Sequence, residues 1–344
     1  MQETTTGKIS NRHGVAKSVV ALATILALCV LLVTGCSSQQ GTGESSGSDG
    51  AVYSGKITIG TLATEDILPM WVAQEEGLFE KAGLDVDITT FQSATELIAG
   101  VSSGEVDFAM TDPMVAASIY ASGTDVRMQW VTLGTTAEQG RFGIMTTPDS
   151  GITSLKDLAG VPIGVGSNTI LEYVMDNLME DEGVPEDQIV VEEMQKLPVR
   201  YQALASGEVK AVALPASLLA LGEASGYITL ADDTTGDNIS QSVMIVRSDW
   251  LEQDGAEAAR DALESVWDQA ATEINASPES YRSILIENAN LSDAVADTYE
   301  ISEYPMCQMP TNEMVDPVLD WMTEKGYLTK PLSYDGQTGT FSEK

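Results

Sequence analysis

The residues best placed to bind a ligand are mostly small and polar, and they follow predicted strands at the points where helices begin. Hydroxyl, amide and carboxylate groups at such junctions can hydrogen-bond a small molecule, and the free N–H groups of a helix N-terminus favour negative charge. The same residue types are ordinary helix N-caps, so capping alone is the alternative for each of them. The candidate ligand-binding residues are Thr64, Gln92, Ser93, Thr111, Asp112, Ser167, Asn168, Thr169, Arg200 and Leu214.

Two of these candidates favour ligands of opposite charge. The guanidinium of Arg200 could form paired hydrogen bonds with a carboxylate, sulfonate or phosphate, or it could pair with an acid on the protein surface. Asp112, if it faces the ligand instead of capping a helix, favours a cationic or amino-bearing group. Trp71 and Tyr173 could stack on a ring or belong to the core. The sequence therefore leaves both an anion and a pyrimidine-like ring open as ligands.

Histidine is almost absent from the chain, which limits the mechanisms open to it. The only histidine is His13, within a basic and apolar N-terminal segment. Without it the chain has no Ser-His-Asp triad, no Cys-His pair and no histidine-based zinc site. Gly164-Val165-Gly166 follows a predicted strand but lacks the third glycine of a dinucleotide-binding loop. These absences exclude most hydrolase mechanisms, and we expect no catalytic residues, no cofactor and no metal.

The N-terminal segment predicts export and lipid attachment. Three basic residues precede an apolar run of sixteen residues, 18–33, which leads into Thr34-Gly35-Cys36. This arrangement resembles a bacterial lipoprotein signal, in which a peptidase cuts before the cysteine and the thiol is acylated. The alternative is a transmembrane anchor, for which this run is slightly short. We expect residues 1–35 to be removed and Cys36 to hold the protein at the extracytoplasmic face of the cell membrane.

The chain is strongly acidic, with 52 Asp and Glu against 17 Lys and Arg and a formal net charge of −35. This excludes nucleic acid as a partner, because binding it depends on basic side chains that neutralise phosphates. It also disfavours adsorption to an anionic lipid surface, so the lipid on Cys36 should be the membrane link. Loss of Cys29 with the signal and acylation of Cys36 would leave Cys307 as the one thiol, which excludes an internal disulfide.

Beyond Cys36 the composition changes twice. Residues 36–53 are rich in Ser and Gly and predict a flexible tether. From residue 54 the chain alternates strand and helix signals, the pattern of an α/β fold. Ser103-Gly104-Glu105-Val106 and Ser206-Gly207-Glu208-Val209 each end a predicted helix, start a strand and lead to a proline. The matched order of elements predicts two similarly built lobes.

The predicted lobes divide the chain into three segments. Residues 54–146 form the first part of lobe 1, residues 147–241 form lobe 2, and residues 242–344 return to lobe 1 and add C-terminal helices. Two extended segments, residues 142–147 and 241–246, are predicted to join the lobes. Ligands of such sheets collect at the carboxyl ends of the strands, so the candidate residues should converge on the cleft between the lobes.

Four segments are similar to those of a known family: EEGLFEKAGLDV at residues 75–86, SGEVDFA at 103–109 with Thr111-Asp112, ITSLKDLAG at 152–160, and DWM at 320–322. They resemble the periplasmic substrate-binding proteins of ABC importers, within them the group for nitrate, sulfonates, taurine and thiamine-pyrimidine precursors. The resemblance covers most of residues 56–334. It implies the type II periplasmic-binding-protein fold, with two α/β lobes on a two-strand hinge and a helical C-terminal region.

The resemblance also implies a function and its partners. A monomer would close its lobes around a small-molecule solute, either a sulfonate- or nitrate-like anion or a pyrimidine-like precursor, and deliver it to a membrane permease and its ATPase. Two alternatives stay open: an exported enzyme of the same fold, such as a carboxylate-based lyase, and a ligand sensor for a membrane kinase. The pyrimidine-forming enzymes of this fold use an active-site histidine, and this chain has none beyond His13.

Overall fold

The computed structural model describes residues 53–289 and 291–344. The predictions for the signal over residues 1–35, for acylated Cys36 and for the tether up to residue 52 lie outside the described residues. Tyr53, predicted to end the tether, belongs to the folded body. Its ring lies 5.0 Å from that of Trp250, whose Nε1 donates a hydrogen bond to the Tyr53 hydroxyl at 2.9 Å.

Twelve strands and eleven helices are found in the described residues. The strands are β1 (Lys56–Leu62), β2 (Asp85–Phe91), β3 (Phe108–Thr111), β4 (Val126–Leu133), β5 (Phe142–Thr146), β6 (Pro162–Val165), β7 (Val190–Glu193), β8 (Ala211–Pro215), β9 (Ile228–Asp232), β10 (Ser242–Arg247), β11 (Leu332–Asp335) and β12 (Thr340–Glu343). The helices are α1 (Leu68–Glu75), α2 (Leu78–Lys81), α3 (Ala94–Ser103), α4 (Pro113–Ala121), α5 (Ile170–Asp181), α6 (Leu197–Ser206), α7 (Ala216–Ala224), α8 (Ser248–Leu251), α9 (Ala256–Ala276), α10 (Arg282–Asn288) and α11 (Asn312–Glu324).

The strands form two sheets, and five strands of the larger sheet repeat the order of the smaller sheet, so that β2-β1-β3-β10-β4 corresponds to β7-β6-β8-β5-β9. The seven-stranded sheet runs β11-β12-β4-β10-β3-β1-β2, and the five-stranded sheet runs β7-β6-β8-β5-β9. In the first sheet β1 is parallel to β2 and β3, and β10 lies antiparallel between β3 and β4. In the second, β6 is parallel to β7 and β8, and β5 lies antiparallel between β8 and β9. Each sheet is the centre of one lobe, as the repeated sequence pattern predicts.

The two segments predicted to join the lobes are the antiparallel strands of these sheets. β5 lies inside the second sheet and β10 inside the first, so the chain crosses between sheets before each of them, over residues 134–141 and 233–241. This corrects the predicted boundary at residue 146, because hydrogen bonds to β8 and β9 hold β5 in the second lobe.

Burial follows the position of each strand in its sheet. Parallel strands are covered by helices on both faces and therefore read as continuous apolar runs. The central strands β3 (FAMT) and β8 (AVALP) are buried at every residue. The edge strand β2 has no buried residue, and its exposure alternates along its first half.

Matched glycines end the helices that precede β3 and β8. Gly104 follows α3 at φ 82°, and Gly207 follows α6 at φ 73°, both in the left-handed region. In both turns the N–H of the next glutamate bonds the carbonyl five residues earlier, at 3.1 and 2.9 Å. Glycine adopts this helix-ending conformation without strain, which explains why Ser-Gly-Glu-Val occurs twice.

Two large apolar clusters hold the body together. In the first lobe, α9 packs Trp267 against Trp130 with ring centroids 5.9 Å apart, and Phe108 meets Trp250 edge-on at 4.8 Å. The other cluster contains side chains of both lobes, with α4 and α11 of the first lobe and α5 of the second. The lobes therefore share buried apolar surface beside the cleft.

Three further properties apply to the described part of the chain. None of its helices is both long and apolar enough to cross a membrane. Its His, Cys, Asp and Glu side chains form no group of three or more that could hold a metal ion. Cys307 is a free, half-buried thiol.

Replacing Gly207 by alanine should destabilise the protein by about 1–2 kcal/mol, because a side chain is strained at a left-handed backbone position. No neighbouring atom lies within 4 Å of the added Cβ, so the loss comes from the backbone alone. Gly207→Asn should lose less, since asparagine tolerates this region. Urea denaturation measures both free energies of unfolding, and equal losses would contradict the backbone explanation.

Candidate functional site

A cavity of about 70 Å³ lies between the two lobes. It forms where the parallel strands of both sheets end and the helices that follow them begin. The lining residues are Leu62, Thr64, Asp66, Ala94, Met110, Thr111, Asp112 and Ser242 from the first lobe, and Phe142, Thr169, Ile170, Leu171, Gln195, Leu197, Arg200 and Pro215 from the second.

The structure brings half of the ten candidate residues to this cavity. Of the two candidates before α3, neither lines it. Ser93 caps this helix by accepting a hydrogen bond from the Glu96 N–H at 3.2 Å, and the N–H of Gln92 donates to the Glu96 carboxylate at 3.1 Å. Capping therefore accounts for Ser93. The candidates that line the cavity are Thr64, Thr111, Asp112, Thr169 and Arg200.

Three second-lobe candidates also have contacts elsewhere. The hydroxyl of Ser167 bonds the carboxylate of Glu193. Asn168 reaches across to the first lobe, where its Nδ2 donates to the Ser118 hydroxyl at 2.7 Å. Leu214 is buried within β8. Asn168 thus contributes to the contact between lobes without lining the cavity.

Asp112 connects the two lobes through its carboxylate. Oδ1 accepts the N–H of Val115 at 2.8 Å and so caps α4, while Oδ2 accepts the N–H of Ile170, the first residue of α5, at 3.2 Å. Burial raises the pKa of this carboxyl to about 6, although both hydrogen bonds favour the ionised form. Both oxygens are bonded to the protein itself, so Asp112 is a cap and an inter-lobe contact in the cavity wall.

Arg200 is only 1% exposed, and its guanidinium bonds backbone carbonyls instead of an acid. Nε and Nη2 donate to the carbonyl of Met194 at 2.9 and 2.8 Å, and Nη1 donates to that of Ala213 at 2.8 Å. Burial lowers its pKa to about 10, which leaves it charged at neutral pH. These contacts match neither of the predicted roles, which were an ion pair with a surface acid and paired hydrogen bonds to an anion. The side chain instead connects the start of α6 to β8.

Three polar residues at the cavity were not among the candidates: Asp66, Gln195 and Ser242. The Ser242 hydroxyl donates to Asp66 Oδ1 at 2.5 Å, which links the loop after β1 to the start of β10. Gln195 Nε2 donates to the Ser167 carbonyl at 3.2 Å and to the Glu193 carboxylate at 2.7 Å. Of these three residues, only Asp66 could have been predicted from the sequence, because it follows a predicted strand.

Much of the cavity wall is apolar, as is usual for small-molecule sites. The two aromatic side chains considered for stacking lie in the core instead. Trp71 is buried in the first lobe, and Tyr173 packs edge-on against Trp321 at 5.2 Å. The apolar lining residues are Leu62, Ala94, Met110, Phe142, Ile170, Leu171, Leu197 and Pro215.

Helix α5, whose first residues line the cavity, is also held from the first lobe by buried polar contacts. The ammonium of Lys325 lies 2.9 Å from Asp176 and 3.7 Å from Glu172. The Tyr327 hydroxyl donates to Glu172 at 2.7 Å, and Trp321 Nε1 donates to Asp176 at 3.0 Å. These contacts fix α5 against the C-terminal part of the first lobe.

Glu65, next to Asp66, is a buried acid in the first lobe. Its side chain is 4% exposed, and no described residue donates a hydrogen bond to Oε2. Burial, followed by the charge of Asp66, raises the pKa of Glu65 to about 8. At neutral pH this carboxyl is therefore mostly protonated.

The sequence matches a known family model over more than half of its length. The model described as "NMT1/THI5 like" matches residues 64–278. Among curated proteins, the 4-amino-5-hydroxymethyl-2-methylpyrimidine phosphate synthase of Schizosaccharomyces pombe is 28% identical over 102 residues, which is 30% of this chain and 28% of that protein. The chain thus spans little more than a quarter of the length of that relative.

Solved structures share the fold at low sequence identity. The alkanesulfonate-binding protein SsuA from Xanthomonas axonopodis pv. citri has a TM-score of 0.70 at 16% identity, over 81% of this chain and 96% of that one. The periplasmic nitrate-binding protein NrtA from Synechocystis has a TM-score of 0.67 at 13% identity, over 80% and 82%. These matches confirm the predicted two-lobed periplasmic-binding-protein fold.

Replacing Glu65 by glutamine should stabilise the protein more and more as the pH rises from the ordinary value of 4.5 toward about 8. Within this window the folded state keeps the proton on Glu65 while the unfolded chain loses it, so wild-type stability falls with rising pH. The free-energy difference between variant and wild type should grow by up to about 1.4 kcal/mol per pH unit. Urea denaturation across the window measures it, with the exposed Glu75→Gln as control. A pH-independent difference would contradict the raised pKa.

Proposed function

The chain belongs to the NMT1/THI5-like family, and from that premise we propose that it is the extracytoplasmic solute-binding component of an ABC importer. The observation that carries this proposal is the inter-lobe cavity, to which each lobe contributes eight lining residues. A solute held there has contacts with both lobes and loses its contacts with one of them if the lobes separate. Its binding therefore shifts the population toward the closed form, which a membrane permease can recognise.

The chemistry of the cavity suits binding better than reaction. Its charged side chains are those of Asp66, Asp112 and Arg200. Asp112 and Arg200 are bonded to the protein's own backbone, at the atoms that would otherwise transfer protons or bind charge. None of the sixteen lining residues is histidine, cysteine or lysine, three side chains that commonly act as general base or nucleophile.

One observation favours a second candidate, an exported enzyme of the same fold. The fission-yeast relative is named a pyrimidine phosphate synthase. In the alternative considered for this chain, a carboxylate-based lyase, a cavity carboxylate would act as the base. Asp112 has a pKa raised to about 6, but both of its oxygens accept backbone hydrogen bonds. Asp66 would be the better placed of the two.

The proposal also covers the chemical class of the solute and the partners of the receptor. SsuA and NrtA are named for alkanesulfonate and nitrate, and the yeast relative for a pyrimidine phosphate, so small anions and pyrimidine-like compounds are the classes to test. The receptor acts as a monomer and delivers its solute to a permease and an ATPase. A lipid on Cys36 keeps it at the membrane.

The purified full-length protein should melt at a higher temperature in the presence of its solute, because a ligand that binds only the folded state stabilises it. The gain is about 2.7 kcal/mol at a hundredfold excess over Kd. A thermal-shift panel of nitrate, alkanesulfonates and aminopyrimidines measures this. Each compound that binds is then recovered and examined by mass spectrometry. We expect it unchanged; conversion to a product would contradict the receptor and favour the enzyme.

Replacing Cys36 by serine should move the protein from the membrane to the soluble fraction, because the acylated thiol is its only proposed anchor. Solute affinity should not change, since the cavity is built from residues 62–242. Cell fractionation followed by immunoblotting measures the distribution. Cys307→Ser, the matched control, should stay with the membrane. A Cys36→Ser protein that remains membrane-bound would support the transmembrane-anchor alternative.

A further inference from the structure

We propose that the cavity selects a solute that carries a protonated amine, and that Asp66 is the residue that binds this ammonium group. The inference rests on the proposed receptor function and names the chemical class of its solute. It follows from the hydrogen-bonding capacity that remains at the cavity once the protein's own contacts are made.

Asp66 presents one free carboxylate oxygen to the cavity. The side chain is 4% exposed, lines the cavity and accepts the Ser242 hydroxyl on Oδ1 at 2.5 Å. Within residues 53–289 and 291–344 nothing donates to Oδ2, and this atom is not sealed in the protein interior. A carboxylate oxygen of a largely buried side chain that has no protein donor is available to accept a hydrogen bond from a ligand.

The other charged groups at the cavity are already bonded. Asp112 accepts two backbone N–H groups, and Arg200 donates to backbone carbonyls. The Thr169 hydroxyl also donates to a backbone carbonyl, at 2.7 Å. The hydroxyls of Thr64 and Thr111 line the cavity and can donate or accept. Among the charged atoms of the described lining residues, the one without a hydrogen-bond partner, Oδ2 of Asp66, is therefore an acceptor.

This arrangement discriminates against an anion. A sulfonate or nitrate would lie beside the Asp66 carboxylate, and Arg200, the one basic side chain in the described lining, is bonded to carbonyls. An ammonium group would instead form a charge-assisted hydrogen bond, about twice as strong as a neutral one. The interaction is further strengthened because the surrounding apolar wall lowers the effective dielectric.

The size and lining of the cavity define the rest of the solute. A volume of about 70 Å³ favours a compact solute. Leu62, Phe142 and Leu197 offer apolar surface to a short hydrocarbon or ring. The geometry thus points to a compact amine with a small apolar body.

Two probes of equal length and opposite charge test the inference. Butylammonium and butane-1-sulfonate are titrated separately into the purified full-length protein and followed by thermal shift and calorimetry. We expect butylammonium to raise the melting temperature and butane-1-sulfonate to leave it unchanged. In Asp66→Asn, affinity for butylammonium should fall by about 30-fold or more, the loss typical when one member of a buried charge pair is removed. Asp254→Asn, at an exposed turn outside the cavity lining, should bind like wild type.

Three outcomes overturn the inference. Stabilisation by butane-1-sulfonate alone, or by neither probe, contradicts ammonium selection, and so does equal binding of butylammonium by wild type and Asp66→Asn. The comparison of the two probes on wild type tests ammonium selection even if the variant does not fold. Binding of butane-1-sulfonate alone leaves the receptor function standing. Chemical conversion of bound butylammonium would instead contradict the receptor and leave the ammonium preference intact.

Discussion

Each sheet of this protein contains an antiparallel strand that has just crossed from the other lobe, and the position of the cavity depends on this exchange. The register places Val243 of β10 beside Thr111, the last residue of β3, and Phe142 of β5 beside Pro215, the last residue of β8. Both crossings therefore reach their sheets at the edge where the parallel strands end. The two carboxyl edges face each other across the crossings, and the residues that begin the exchanged strands become part of the cavity wall.

Helix α5 connects the cavity with the contacts between the lobes. Its first turn lines the cavity and donates an N–H to Asp112, while Glu172 and Asp176 farther along accept bonds from the C-terminal part of the first lobe. A buried ionic network of this kind contributes more to a defined geometry than to net stability, because desolvation offsets much of the attraction between the charges. Separation of the lobes at α5 would break the solute contacts and these bonds together. Under the proposed function, solute occupancy and lobe position are therefore coupled through this helix.

The features that the sequence predicted well depend on neighbouring residues. The features that it missed depend on pairing between distant segments of the chain. The cap made by Asp112 and the helix-ending turn at Gly207 follow from a few neighbouring residues, and both were predicted in the right places. Ser242 and Phe142 reach the cavity through the register of antiparallel strands, which no local pattern encodes. The contacts of Arg200 depend in the same way on tertiary packing, because its carbonyl partners come from the loop after β7 and from β8.

Arg200 and Asp66 together show why the shared fold does not determine the charge of the solute. An arginine at a helix start beside a cleft could bind an anion or pair with an acid, yet this guanidinium is buried and donates to backbone carbonyls. Asp66 has fewer hydrogen-bond partners than it can accept, because the Ser242 hydroxyl donates to one carboxylate oxygen and no described residue donates to the other. Ligand preference follows from the groups left unpaired once the fold has made its own hydrogen bonds. By that criterion the residue types alone leave an anion and an amine open, and the contacts of Asp66 and Arg200 are the basis for proposing the amine.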